Sequence, residues 1–312
     1  MKPAWLRQSE RGNRYLLRLF VWLTLRLGRP LTRPCLYPIC LYFLAFSRDS
    51  GRVSRRFLAE AADLRPSWAD VFRHYHTFAS TIHDRVYLLA GRHDYFDIRV
   101  EGGAAVEEHL QHKRGCLLIG SHLGSFEVLR ALGLFRRRVP LSVIMHEEAT
   151  SNLNAVLHCL CPEVRDHIIA PGRPDTLLRV KECLDRGELV GMLGDRTFSE
   201  EKAIECPFLG RPTQFPEGPL LLAALLNVPV VLFFGLYRGG RRYDVHFEPF
   251  ADAVVLPRPR RTEDLRPWVM RYVARLESYC RRYPNNWFNF YELPHSTAAG
   301  GGPPAPSAVR TG

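Results

Sequence analysis

The chain has 312 residues, 46% of them hydrophobic and 24% charged, which gives ample length for a real core and excludes wholesale disorder. Its formal charge of +11 admits three kinds of partner: nucleic acid, an anionic membrane surface, or an acidic soluble carrier. No stretch approaches ~18 uninterrupted apolar residues, so an unambiguous membrane span is absent.

The opening MKPAWLRQSERGNRY does not read as a signal peptide, because no unbroken apolar region and no small-residue cleavage site follow it. None of the eight cysteines forms a C-x-x-C pair, so no metal site is expected. Several sit in apolar runs, such as Cys116 in GCLLIG, and behave as small hydrophobes. A chain of this length needs no disulfides, and the cysteines fit a reducing compartment, the cytoplasm or a membrane face open to it.

Residues 1–50 read as a membrane-associating segment. Wound as a helix, the run around Tyr15–Leu27 (YLLRLFVWLTLRL) gathers Arg11, Arg14, Arg18, Arg26 and Arg29 into an arc of about 120°, with Leu17, Phe20, Leu23 and Leu27 outside it. A second run, Cys35–Phe46 (CLYPICLYFLAF), lies between Arg33 and Arg48, and Pro30, Pro34 and Pro38 break the pair. The segment is either an arginine-edged docking hairpin or two core-packing helices with solvated arginines. Trp, Tyr and Arg interleaved at the ends of short apolar runs favour docking.

Residues 51–295 read as an α/β domain. After a helical stretch to Gly91, strands are expected at Phe96–Val100, Cys116–Ile119, Leu141–Met145, His167–Ala170, Leu189–Leu193, Val228–Tyr237 and Tyr243–Phe247. Helices are expected at Ala104–His112, Phe126–Phe135, Ser151–Leu160, Asp175–Arg186, Glu217–Leu226 and Thr262–Arg282. Apolar strands alternating with helices imply a mostly parallel central sheet flanked by helices. The Gly/Pro/Ala-rich tail from Ser296 is expected to be disordered.

Four segments carry chemistry. In GCLLIGSHLGSFEVLRAL (Gly115–Leu132), a short strand runs into a glycine-rich turn with Ser121 and His122, and a helix bearing Glu127 follows. Ligands of open α/β sheets sit at such carboxyl ends. On one helix His122 and Glu127 would lie about 140° apart. If the helix begins near Ser125, however, His122 folds back from the loop onto Glu127. A carboxylate on one ring nitrogen fixes the tautomer and leaves the other free to take a hydroxyl proton. The bland alternative is a capping or core histidine beside a solvated glutamate. In LVGMLGDRT (Leu189–Thr197), a strand ends in Gly194-Asp195-Arg196. Arg196 can stabilise an oxyanion or hold a phosphate, and Asp195 can orient Arg196 or His122, unless the two form only a structural ion pair. In FLGRPTQFPEGPLLL (Phe208–Leu222), Arg211, Thr213 and the Pro216-Glu217-Gly218 turn lead into a helix start suited to an anion, or form an ordinary βα loop. The cluster YPNNWFNFYELP (Tyr283–Pro294) reads as packing.

These elements, in this order, resemble the lysophospholipid acyltransferase superfamily: H-x4-E after an apolar strand, a G-D-R strand end, F-P-x-G-P, and W-F-N-F-Y. Within it the chain looks like the lipid A biosynthesis (lauroyl/myristoyl) acyltransferase branch, over nearly its whole length. The resemblance implies a glycerolipid acyltransferase-like fold with His122 and Glu127 as the catalytic pair, although the superfamily's more usual acid is Asp. It also implies a membrane-associated amino-terminal segment, acyl-carrier protein or acyl-CoA as donor and co-substrate, and a membrane lipid acceptor. The location it implies is the cytoplasmic face of a bacterial-type inner membrane. Arg196 joins the catalytic set, and Ser121, Gly194, Asp195, Arg211, Pro216, Glu217 and Gly218 the substrate-binding set. A further family arginine falls on Arg165 or Arg173. No metal and no tightly bound organic cofactor are expected. The alternative is a non-catalytic lipid- or carrier-binding protein on the same fold. Nucleic-acid binding is not expected, because the arginines are spread along the chain.

Overall fold

The computed structural model describes residues 14–63, 65–131, 140–145, 160, 167–197, 202–257 and 261–292. Its centre is a seven-stranded sheet. The strands are β1 (Asp97–Glu101), β2 (Cys116–Gly120), β3 (Leu141–Ile144), β4 (Ile168–Ile169), β5 (Leu189–Leu193), β8 (Val230–Tyr237) and β9 (Arg242–Ala251), in the order β1-β9-β8-β2-β5-β3-β4. All pairings are parallel except β8 with β9. All seven expected strands are therefore present.

The central strands are continuous apolar runs because both faces are covered. Every residue of β2 and β8 is buried. Alternate β2 side chains face opposite layers. Leu117 and Ile119 share a cluster with Leu265, Val269, Tyr272 and Leu276 of the long carboxy-terminal helix Arg261–Arg282, whereas Cys116 and Leu118 pack with Val106 and Leu129 on the other side.

Ten α-helices are present among the described residues: α1 (Arg14–Leu27), α2 (Arg29–Thr32), α3 (Leu36–Phe46), α4 (Arg48–Ala62), α5 (Trp68–Leu89), α6 (Ala104–Gln111), α7 (Phe126–Ala131), α8 (Thr176–Asp185), α9 (Gly218–Leu226) and α10 (Arg261–Arg282). Helix α5 starts at a capping box, with Ser67 Oγ accepting from the Asp70 backbone and Asp70 accepting from Ser67 N. The expected helix at 151–160 lies outside the described residues apart from Leu160, as do Arg165 and the tail.

The stretch from 208 differs from expectation. Instead of a loop, Ala203–Phe208 (β6) and Arg211–Pro216 (β7) form a separate antiparallel hairpin. Leu209 and Gly210 turn it with φ of 51° and 80°, the two positive values of a type I′ turn. Pro207 and Pro212 sit opposite each other in this ribbon, outside the main sheet where a proline would interrupt the ladder.

The amino-terminal helices pack on α5. Val21, with Leu17 and Leu25, meets Val86 and Leu89. The Tyr87 hydroxyl donates to Thr24 O. Arg29 does not belong to a basic outer arc: it is buried and forks onto Asp84 at 2.7 and 3.0 Å, while Tyr243 donates to the same carboxylate at 2.9 Å. The opposite side of these helices carries Tyr15, Leu16, Leu19, Trp22, Leu31, Tyr42 and Phe46, all about half exposed or more. No helix among the described residues is long and apolar enough to cross a membrane.

Candidate active site

The site is built at the carboxyl ends of the neighbouring parallel strands β2 and β5. Their register pairs Gly120 with Leu193, so the turns that follow emerge side by side. Gly120 O accepts from Gly194 N at 2.9 Å and from the Tyr272 hydroxyl at 2.8 Å, which joins the two turns to α10. A side chain at Gly120 would meet the Phe233 ring at 2.3 Å, so the strand end tolerates only glycine.

The turn then passes very close to β8. Gly124 has φ of 81°, and a Cβ there would lie 2.0 Å from Gly235 O. Ser125 N donates to that same oxygen at 2.7 Å, and α7 begins at the next residue.

His122 sits in this turn with its side chain 31% exposed. Its Nδ1 lies 2.9 and 3.1 Å from the two carboxylate oxygens of Asp195, and its backbone N–H donates to Asp195 Oδ2 at 3.0 Å. An ionised carboxylate can only accept, so the ring proton sits on Nδ1 and Nε2 presents its lone pair. Among the described residues Nε2 has no hydrogen-bond partner.

Asp195 is fully buried. Burial alone would raise its pKa, but His122 and Arg196 outweigh that and hold the carboxyl below the usual carboxylate range. Burial and the Arg196 charge lower the pKa of the His122 ring from its ordinary value, against the opposing pull of Asp195. The pair is therefore a neutral imidazole backed by a carboxylate at pH 7.

Glu127 does not meet the imidazole. It is buried on the first turn of α7, with Arg85 Nη2 of α5 at 2.8 Å from Oε1 and Arg130 Nη1 at 3.4 Å from Oε2. The expected His122–Glu127 contact is replaced because the in-register β5 turn brings a second carboxylate closer to the ring than the helix brings the first.

Arg196 follows directly. Its Nη2 donates to Phe288 O at 2.9 Å, and its guanidinium stacks 5.0 Å from the Tyr291 ring centre. Phe288 N in turn donates to His122 O at 2.9 Å. The aromatic segment expected to be packing thus also borders the site. Its signal was hidden, because its hydrogen bonds to His122 and Arg196 run through the main chain, although the Tyr291 ring also covers Arg196.

Of the other expected substrate residues, Ser121 and Gly194 adjoin this cluster, each next in the chain to one of its members. Ser121 is buried, with no hydrogen-bond partner for its Oγ among the described residues, and Gly194 shapes the strand end. Arg211 pairs with Glu60 at 2.5 Å and lines a small cleft with Trp287, Asn289 and Tyr291. Pro216, Glu217 and Gly218 link β7 to α9. Arg211 and these three make no hydrogen bond or ion pair to His122, Asp195 or Arg196 among the described residues. Arg173 is exposed, and its backbone N–H donates to Thr176 Oγ1. No cluster of potential metal ligands occurs among the described residues.

A family model described as bacterial lipid A biosynthesis acyltransferase matches residues 14–293, almost the whole chain. No curated protein matches the sequence.

Proposed function

Because the chain belongs to the bacterial lipid A biosynthesis acyltransferase family and is an acyltransferase, we propose that it moves a fatty-acyl group from an acyl thioester to a hydroxyl of a membrane lipid or glycolipid, with His122 as general base. The donor in this reading is acyl-carrier protein or acyl-CoA. The supporting observation is the 2.9 Å contact between His122 Nδ1 and buried Asp195 at the carboxyl ends of β2 and β5, with Nε2 unbonded among the described residues.

Nε2 takes the proton of the acceptor hydroxyl as its oxygen attacks the thioester carbonyl. The C–O bond forms, the C–S bond breaks, and the imidazolium returns its proton to the thiolate. Asp195 fixes the Nδ1–H tautomer and steadies the transient cation, the role a carboxylate plays behind a catalytic histidine on other folds. Arg196 lies close enough to lower the pKa of His122, and its charge stabilises the oxyanion of the tetrahedral intermediate. Glu127 acts at one remove in this reading, tying the start of α7 to α5 through Arg85.

The half-exposed aromatic and aliphatic face of α1–α3 serves as the docking surface. These helices, of 14, 4 and 11 residues, fall short of the ~20 residues a span needs and in this reading lie in the interfacial plane, where exposed Arg18, Arg26 and Arg48 suit an anionic leaflet. The deciding experiment supplies acyl-carrier protein or acyl-CoA thioester with and without a hydroxylated lipid acceptor. Thioester loss that requires the acceptor and yields the acylated lipid supports the reading. Donor binding without turnover makes the protein a carrier-binding module, and equal loss without acceptor makes it a thioesterase.

A further inference from the structure

The buried segment Asn286–Phe288 does not belong to any strand of the sheet, yet it holds the turn after β2 along its length. Asn286 O accepts from Gly124 N at 2.8 Å, Trp287 bridges Leu123, and Phe288 N donates to His122 O at 2.9 Å. The next atoms of the same peptide chain hold Arg196, whose Nη2 donates to Phe288 O. One residue's main chain therefore ties the base to the arginine.

What fixes this segment is the Asn286 side chain. The residue is 5% exposed. Its Oδ1 accepts from Tyr237 N at 2.8 Å and its Nδ2 donates to Tyr237 O at 3.2 Å. Beyond Gly235, where β2 has left the sheet, the carboxamide takes the place of a neighbouring strand at the end of β8. No other uncharged side chain offers a donor and an acceptor in this compact plane except the longer glutamine. A second anchor comes from α5. His74, buried completely, has Nε2 at 2.7 Å from Trp287 O and Nδ1 at 2.7 Å from Ser54 Oγ. The carbonyl must accept, so Nε2 carries the proton and Nδ1 accepts from the serine.

We propose that Asn286 is a positioning residue, whose carboxamide sets the 286–288 main chain so that His122 and Arg196 are held at their working separation, with His74 as the second anchor. The inference rests on the reading of His122 as base. Positioning is demanding, since a misplacement of about 1 Å costs up to ~10²-fold in rate. It also has an electrostatic signature. Among the described residues the charged groups facing His122 are Asp195 and Arg196; the phenols of Tyr272 and Tyr291 beside them are pushed upward and stay neutral. When the segment loosens, Arg196 recedes and His122 titrates at a higher pH.

The test uses the full chain. Asn286→Ala is compared with wild type for kcat, KM and the NMR titration of the His122 imidazole, its resonance identified by loss in His122→Ala. The expected result is kcat lower by about 10–100-fold, KM within about threefold, and a titration midpoint moved upward. His74→Leu should behave alike, whereas His74→Gln, which keeps an N–H donor towards Trp287 O, should restore most of kcat. A folded Asn286→Ala with unchanged kcat and an unmoved midpoint overturns the proposal, as does a rise in KM alone. If Asn286→Ala does not fold, the His74 pair decides: equal behaviour of Leu and Gln overturns the proposal. The titration needs no turnover, so an active His122→Ala would refute the base reading while leaving the positioning measurement intact.

Discussion

Asp195 holds His122 twice, with its carboxylate bonded both to the ring Nδ1 and to the residue's own backbone N–H. The same two oxygens therefore fix the tautomer, the ring orientation and the course of the turn. Replacing His122 by Ala should lower turnover by ~10²–10⁴. Asp195→Asn should fall in a similar range, because the amide can present a donor to Nδ1 and stabilise the wrong tautomer. The double variant should be far from additive. Near-wild-type acyl transfer in His122→Ala would refute the base assignment.

The lowered pKa of His122 sets the pH dependence. A base works in its neutral form, and burial together with Arg196 keeps the ring neutral to lower pH than a free imidazole. Activity should be flat from pH 7 to 8 and fall as pH drops below the ordinary histidine value of about 6.5. In Arg196→Gln the falling limb should move to higher pH, as the repelling charge is gone. A limb centred above pH 7 in the wild type would contradict this environment.

Glu127 should separate from Asp195 in kind of defect. Glu127→Ala leaves Arg85 and Arg130, both largely buried, without this carboxylate. Removing one partner of a buried pair costs about 3–5 kcal/mol. Thermal melting should show a large loss in Glu127→Ala, and in Glu127→Gln the protein that remains folded should keep the wild-type acidic limb. A normal melting temperature with abolished turnover would return Glu127 to a direct chemical role.

How much of this was legible in the sequence differs by element. The central strands were the most readable, because double-sided burial writes them as runs such as CLLIG and VVLFFGLY, whereas the edge strand DIRVE is largely exposed. The β6–β7 hairpin was not, since its turn uses Leu209-Gly210 in place of an Asn-Gly pair and prolines flank it. His122, Asp195 and Arg196 stood out singly, each just after an apolar strand. Their partnership was open in the sequence only as an alternative, with Asp195 able to orient either Arg196 or His122. H-x4-E is a local spacing, whereas the His122–Asp195 contact follows from the register of β2 on β5. The part played by Phe288 left no trace at all, because main-chain hydrogen bonds place no demand on residue type.

The outer face of α1–α3 gives a prediction independent of the chemistry. Trp22, Tyr42 and Phe46 are 55%, 49% and 64% exposed, so changing all three to Ser should leave the fold intact. Burying a large apolar side chain contributes about 1.5–3 kcal/mol, and the triple variant should bind anionic vesicles more than about tenfold more weakly. High salt shortens the Debye length to ~3 Å at 1 M and weakens only the arginine contribution. Wild-type protein should therefore remain with vesicles in 1 M salt, and unaltered binding of the triple variant would place the docking surface elsewhere.

The arrangement of the site along the chain also bears on its synthesis. His122, Asp195 and Phe288 are made in that order, and the last is needed to seat the turn carrying the first. At ~5–20 residues per second, the interval between His122 and Phe288 is on the order of 10–30 s. Throughout that interval, a chain still on the ribosome already holds its exposed amino-terminal helices, free to meet the bilayer. Its histidine turn still lacks the segment that pins it. If α1–α3 dock as proposed, such a nascent chain meets the bilayer before its histidine turn is seated.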